Sequence, residues 1–164
     1  GKKPKKKGGN GMAKYHITGA GGAASATAAT AGIVKVDQDA SAPTVTIKIY
    51  EWSIGPGAAA EDSNYTVAMK RQTTAGTWTA VTPEPVDTTG SSASIANGGR
   101  LSTAAGSAGN VLGYWGFNQR AGFIWVAVPG GEMVVGKAVS NGILLEYTVV
   151  QGTAVNYGII CFQE

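Results

Sequence analysis

The stretch Thr44-Val-Thr-Ile-Lys-Ile-Tyr-Glu-Trp-Ser-Ile54 carries the period that decides the fold. Val45, Ile47 and Ile49 alternate with Thr46, Lys48 and Tyr50. β-Branched residues at every second position make one side apolar and the other polar, as a half-buried strand requires. Ile54-Gly-Pro-Gly57 ends the run, because neither glycine nor proline supports continued pairing. Downstream, Tyr65-Thr-Val-Ala-Met-Lys-Arg71 repeats the alternation, with Tyr65, Val67 and Met69 on one side. Thr73-Thr-Ala-Gly76 reads as a turn and Thr77-Trp-Thr-Ala-Val-Thr82 as the partner strand, which predicts a hairpin.

Further out, Gly32–Val36, Val111–Phe117, Phe123–Val128, Glu132–Val135, Ile143–Val150 and Val155–Phe162 are short apolar runs bounded by Gly, Asn or Pro. They predict about eight to ten strands, and no segment keeps apolar residues at helical spacing over three turns. The expected class is all-β, with two packed antiparallel sheets in a jelly-roll-like or Greek-key sandwich. A single domain is expected over 12–164, opened by Met12. Pro83 to Asn110 is rich in Pro, Gly, Ser, Ala and Thr and is predicted to be a long loop, of the kind that crosses to a neighbour in an assembly.

Charge divides the chain unevenly. Residues 1–14 hold Lys2, Lys3, Lys5, Lys6, Lys7 and Lys14 and no acid, whereas the remainder has seven basic and ten acidic residues and a net charge of −3. The first eleven residues have nothing apolar to bury and read as a flexible basic arm. Lys2, Lys3, Lys5, Lys6 and Lys7 can neutralise phosphates or an acidic protein surface with little sequence preference, since no aromatic residue among them can stack on a base. Charged residues are only 14% of the chain, against a norm of about 25%. The broad, weakly polar surface that follows favours association with other subunits.

Catalytic and metal chemistry find little to work with. The lone histidine, His16, alternates with Tyr15 and Ile17 and is expected on the outer side of a first strand; no Gly-x-Ser-x-Gly elbow accompanies it. The lone cysteine, Cys161, lies in the apolar run Tyr157–Phe162 and reads as a buried small hydrophobe, so no disulfide within the chain and no four-ligand cysteine cage can form. Glu61-Asp62 reads as a solvated loop, with a calcium-stabilised loop at an assembly contact as the alternative. Gly19-Ala-Gly-Gly-Ala-Ala24 half matches a dinucleotide fingerprint but lacks the helix that motif needs. No enzyme activity and no cofactor are expected. No apolar stretch reaches ~18 residues, so no membrane-spanning helix is predicted, and synthesis in a cytoplasm is expected. Trp52, Trp78, Trp115 and Trp125 are candidates for core or subunit contacts.

Four segments taken together, Ile49–Ile54, Met69–Pro83, Gly122–Trp125 and Tyr157–Glu164, resemble small structural proteins of tailed bacteriophages, the head-decoration or minor capsid proteins. The resemblance covers most of Met12–Glu164 as strand order and loop composition. It implies a jelly-roll-like body, assembly as a homotrimer, and a place in the virion where the protein covers or cements a lattice of major capsid protein. The lysine arm departs from that pattern and leaves two expectations for itself, an acidic capsid surface or the genome. A carbohydrate- or receptor-binding β-sandwich, as at a fibre tip or in a lectin-like module, is the alternative expectation, with exposed tryptophans stacking on sugar rings.

Overall fold

A computed structural model describes residues 12–19, 32–38, 45–57, 60–87, 96–104, 108–148 and 156–164. Among these residues there is no helix, and twelve strands form: β1 (Lys14–Gly19), β2 (Gly32–Gln38), β3 (Ile47–Pro56), β4 (Asn64–Gln72), β5 (Thr77–Val81), β6 (Glu84–Pro85), β7 (Ala96–Ala104), β8 (Ala108–Asn118), β9 (Phe123–Val126), β10 (Met133–Val135), β11 (Gly142–Tyr147) and β12 (Asn156–Gln163). They make two antiparallel sheets. The first runs β10-β3-β12-β1-β6, with β9 also on β3; the second runs β5-β7-β2-β11-β4-β8.

Pairing is nested about the middle of the chain. β1 pairs with β12, β2 with β11, β3 with both β9 and β10, and β4 with β8. Successive pairs fall in alternate sheets, so the chain crosses the sandwich at each step of β1-β2-β3-β4. The sheets enclose one core. Tyr15, Ile17, Ile47, Ile49, Trp52, Ile160 and Phe162 of the first sheet face Val34, Val36, Val67, Met69, Ile143 and Leu145 of the second. Full burial of an aliphatic or aromatic side chain stabilises by roughly 1.5–3 kcal/mol, and this layer is the main source of stability available to a chain without disulfides.

The alternation in β3 is interrupted once, and the interruption explains the sequence. Ile47 and Ile49 are buried, then Trp52 and Ile54, so the inward period slips between Tyr50 and Glu51. The β3–β12 register shifts at the same place, with Cys161 opposite Glu51 and Phe162 opposite Ile49. Tyr50 is the extra residue of a β-bulge, and its carbonyl accepts a hydrogen bond from Ala127 N at 2.8 Å. Without the bulge Trp52 would point to solvent.

Several sequence expectations change here. The hairpin between 65–71 and 77–82 does not form: β4 is flanked by β11 and β8, both of its edges are occupied, and β5 pairs instead with β7. The stretch 83–110 is not one long loop, because β6, β7 and the start of β8 lie within it; residues 88–95 and 105–107 of that stretch are outside the described residues. β7 escapes the alternation rule because its small residues are a packing requirement. A Cβ on Gly98 would lie 2.4 Å from the Val81 carbonyl and 3.1 Å from Ile17, and one on Gly99 would lie 2.7 Å from Lys35. Cys161 is only half-buried and faces outward, since its neighbours Ile160 and Phe162 take the inward positions. His16 sits beside it, on the outer side of β1 as expected.

Candidate interaction surfaces

The outer face of the first sheet is apolar at one edge. Cross-strand register sets Ile124 beside Ser53 and Val126 beside Glu51; the same rows continue to Ile159 and Cys161 on β12. Ile124 is 65% exposed, Val126 61% and Val128 72%, with Val134 of β10 and Tyr157 of β12 also exposed nearby in the sheet. A shallow groove of about 300 Å³ lies among Ser53, Gly55, Phe123, Ile124, Tyr157 and Ile159. Among the described residues β9 and β10 pair only with β3, so no strand covers their other edges, while on β10 the Val134 carbonyl accepts a hydrogen bond from the Arg71 guanidinium at 3.2 Å. Large apolar side chains gathered at a free sheet edge are a surface for association.

The turn that delivers β9 to this edge is tightly determined. The Asn118 carbonyl accepts from Ala121 N and Gly122 N, while its Oδ1 accepts from Arg120 N at 3.0 Å. Gly122 has φ +67, and a Cβ there would stand 2.6 Å from the Ile54 carbonyl. Only glycine satisfies both conditions. The neighbouring Glu61-Asp62 segment is exposed and held by protein groups: Glu61 N donates to Gln119 Oε1 at 2.7 Å, and Asn118 Nδ2 donates to Asp62 Oδ1 at 2.6 Å. No group of three His, Cys, Asp or Glu residues suited to a metal occurs among the described residues.

The four tryptophans do not act together. Trp52 is fully buried, packed edge-on against Trp115 at 5.0 Å and against Phe123 at 5.3 Å, so it is a core residue and not a subunit contact. Burial follows from the bulge, which turns it inward. Trp115 and Trp125 are partly buried and pack on the same cluster. Trp78 stands apart on β5, with the Lys35 ammonium 5.6 Å from its ring centre. The exposed apolar residues at the sheet edge are aliphatic, and their run Phe123–Val128 read only as another strand; which side each residue takes depends on β3.

The outer face of the second sheet is buried at its centre and carries charged groups there. Lys35, Asp37 and Glu146, with Leu144 and Ala68, lie on the side of β2, β11 and β4 away from the core, yet all are buried. Lys35 Nζ bonds Asp37 Oδ2 at 2.5 Å, Gln72 Nε2 donates to the same oxygen at 2.8 Å, and Lys70 pairs with Glu146. Beside them, at the β2–β7–β5 end, is a cavity of about 450 Å³ whose lining includes Lys35, Asp37, Gln38, Trp78 and Asn97.

Around Cys161, burial and the Glu51 carboxylate push the thiol pKa up. Burial, the Cys161 thiol and Glu51 push the neighbouring Tyr50 phenol up as well. Both groups are therefore held in the protonated, unreactive form near neutral pH. Lys2, Lys3, Lys5, Lys6 and Lys7 lie outside the described residues. No family model, no curated protein and no solved structure matches this chain.

Proposed function

We propose that this chain is a virion structural protein with a jelly-roll body, which covers or cements a phage capsid by binding copies of itself and a major capsid protein. The observation that carries the reading is the aliphatic patch of Ile124, Val126, Val128 and Val134 at the free β9–β10 edge. An exposed group of this kind on a sandwich whose core is already complete calls for a partner, and a second copy of the chain supplies a matching edge and face. The nested pairing supports the jelly-roll part. Folding one long antiparallel pair around a barrel brings first with last and second with second-last, which is the order β1·β12, β2·β11, β3·β9/β10, β4·β8. Jelly rolls recur in viral coats, and this analogy of fold supports the reading. In this reading the homotrimer is the assembling unit, and the lysine arm reaches an acidic capsid surface or packaged nucleic acid.

The test is solution mass by light scattering at low and high salt, on the full chain, on a chain beginning at Met12, and on the double variant Ile124→Lys, Val126→Lys. Trimers from the first two and monomers from the third are expected. A monomeric full chain that also fails to bind purified capsids would remove the proposal.

A further inference from the structure

The cavity beside β2, β5 and β7 belongs to none of the contacts above, and its wall is chemically specific. Asp37 and Gln38 line it at 3% and 2% exposure, and each keeps an oxygen without a hydrogen-bond partner, Oδ1 and Oε1. Trp78 lines it too, with an equally unpartnered indole N–H. A buried polar atom left unpaired is destabilising, and three around one cavity mark a place shaped for an occupant rather than for packing.

The chemistry of that occupant can be read from the wall. Asp37 is already neutralised by Lys35, so neither a bare cation nor an anion finds a net charge to oppose. Asp37 Oδ1 and Gln38 Oε1 call for donors, and the Trp78 N–H calls for an acceptor. A hydroxyl is both. Val81, Pro83 and Ala96 add an apolar side, and the volume falls within the range of small-ligand sites, about 300–1,000 Å³. We infer that this cavity is a binding site for a neutral polyhydroxylated ligand, a mono- or disaccharide unit, gripped by Asp37, Gln38, Trp78 and the exposed Asn97 at its mouth. The three unpartnered atoms are themselves covered, so a ligand meets them only when the Asp37, Gln38 and Trp78 side chains that carry them turn toward the cavity. The inference does not depend on assembly through β9–β10, which lies in the other sheet.

Saturation-transfer NMR on the full chain tests it, with glucose, galactose, mannose, N-acetylglucosamine, lactose and maltose as probes. Transfer to the ring protons of at least one sugar is expected, with affinity about tenfold weaker in Trp78→Ala and in Asn97→Ala, the loss of one or two hydrogen bonds. Asn97 is exposed, so its variant reports on the site even if Trp78→Ala fails to fold. The variant Ile124→Lys, Val126→Lys should bind the sugar unchanged, which separates this site from the assembly surface. No transfer to any of the six sugars, or transfer untouched by Asn97→Ala, overturns the inference.

Discussion

Glu146 is 1% exposed on the outer side of β11, and Lys70 reaches it from β4 to form an ion pair. Two ions taken out of water need each other: the pair adds little net stability, but either member alone is a buried, uncompensated charge. Lys70→Met is therefore expected to destabilise by about 3–5 kcal/mol in urea unfolding, and adding Glu146→Leu should recover most of that loss. Equal and additive losses from the two substitutions would show that the pair is not coupled. The same logic applies to Lys35 and Asp37, with the difference that Gln72 also donates to Asp37 and leaves that carboxylate partly satisfied. Neither pair stands out in the sequence, where Lys70 and Glu146 occupy ordinary alternating positions.

At the scale of the element, β7 shows why composition misleads. Ala96–Gly99 contains two glycines and no large side chain, and lies between β5 and β2 where the Val81 carbonyl and Ile17 on one side, and Lys35 and Trp78 on the other, leave no room for a Cβ. Gly98→Ala places a methyl where the backbone of β5 must move, and overpacking of this sort costs about 1–3 kcal/mol. The expected result is a lower melting temperature together with loss of amide protection confined to β5 and β7, read by hydrogen exchange. Uniform loss across both sheets would instead mean that β5 and β7 fold inseparably from the rest. The bulge at Tyr50 is a second device of this kind, one residue that re-aims Trp52 and Ile54 into the core.

For the whole molecule, the consequence of burying phenols on both sides of the sandwich is sensitivity to alkali. Burial, with the Glu164 carboxylate second, raises the pKa of Tyr15, which stacks on Phe162; burial, with Glu61 second, raises that of Tyr65, which packs on Phe117 and Tyr147. The unfolded chain loses these protons near 10.0, while the folded chain holds them to higher pH. Above that point the native state carries more protons, so stability is full below pH 10 and declines as pH rises through the folded values. Cys161 acts in the same sense from 9.0 upward. Equilibrium unfolding between pH 8 and 11 should show a plateau followed by a fall, and a stability that holds or climbs across pH 10–11 would contradict the assignment of buried phenols.

What the sequence determined by itself was local. Apolar residues alternating at 45–49 and 65–69, with Gly and Pro between the runs, require strands and exclude helices, because the period of two is set by backbone geometry alone. The charge split at Lys14 is likewise plain in the residue order, and so is the thinness of its catalytic residues, with one histidine and one cysteine. Everything that depends on a distant neighbour was decided by the tertiary structure. Which strands pair, why β4 turns away from β5, which face of Phe123–Val126 stays in water, and how Asp37, Gln38 and Trp78 come to share one cavity are outcomes of long-range pairing. The physical reason is that a strand satisfies only its own alternation locally. Its hydrogen bonds and its buried side belong to partners up to the full length of the chain away, as when Lys14 faces Gln163.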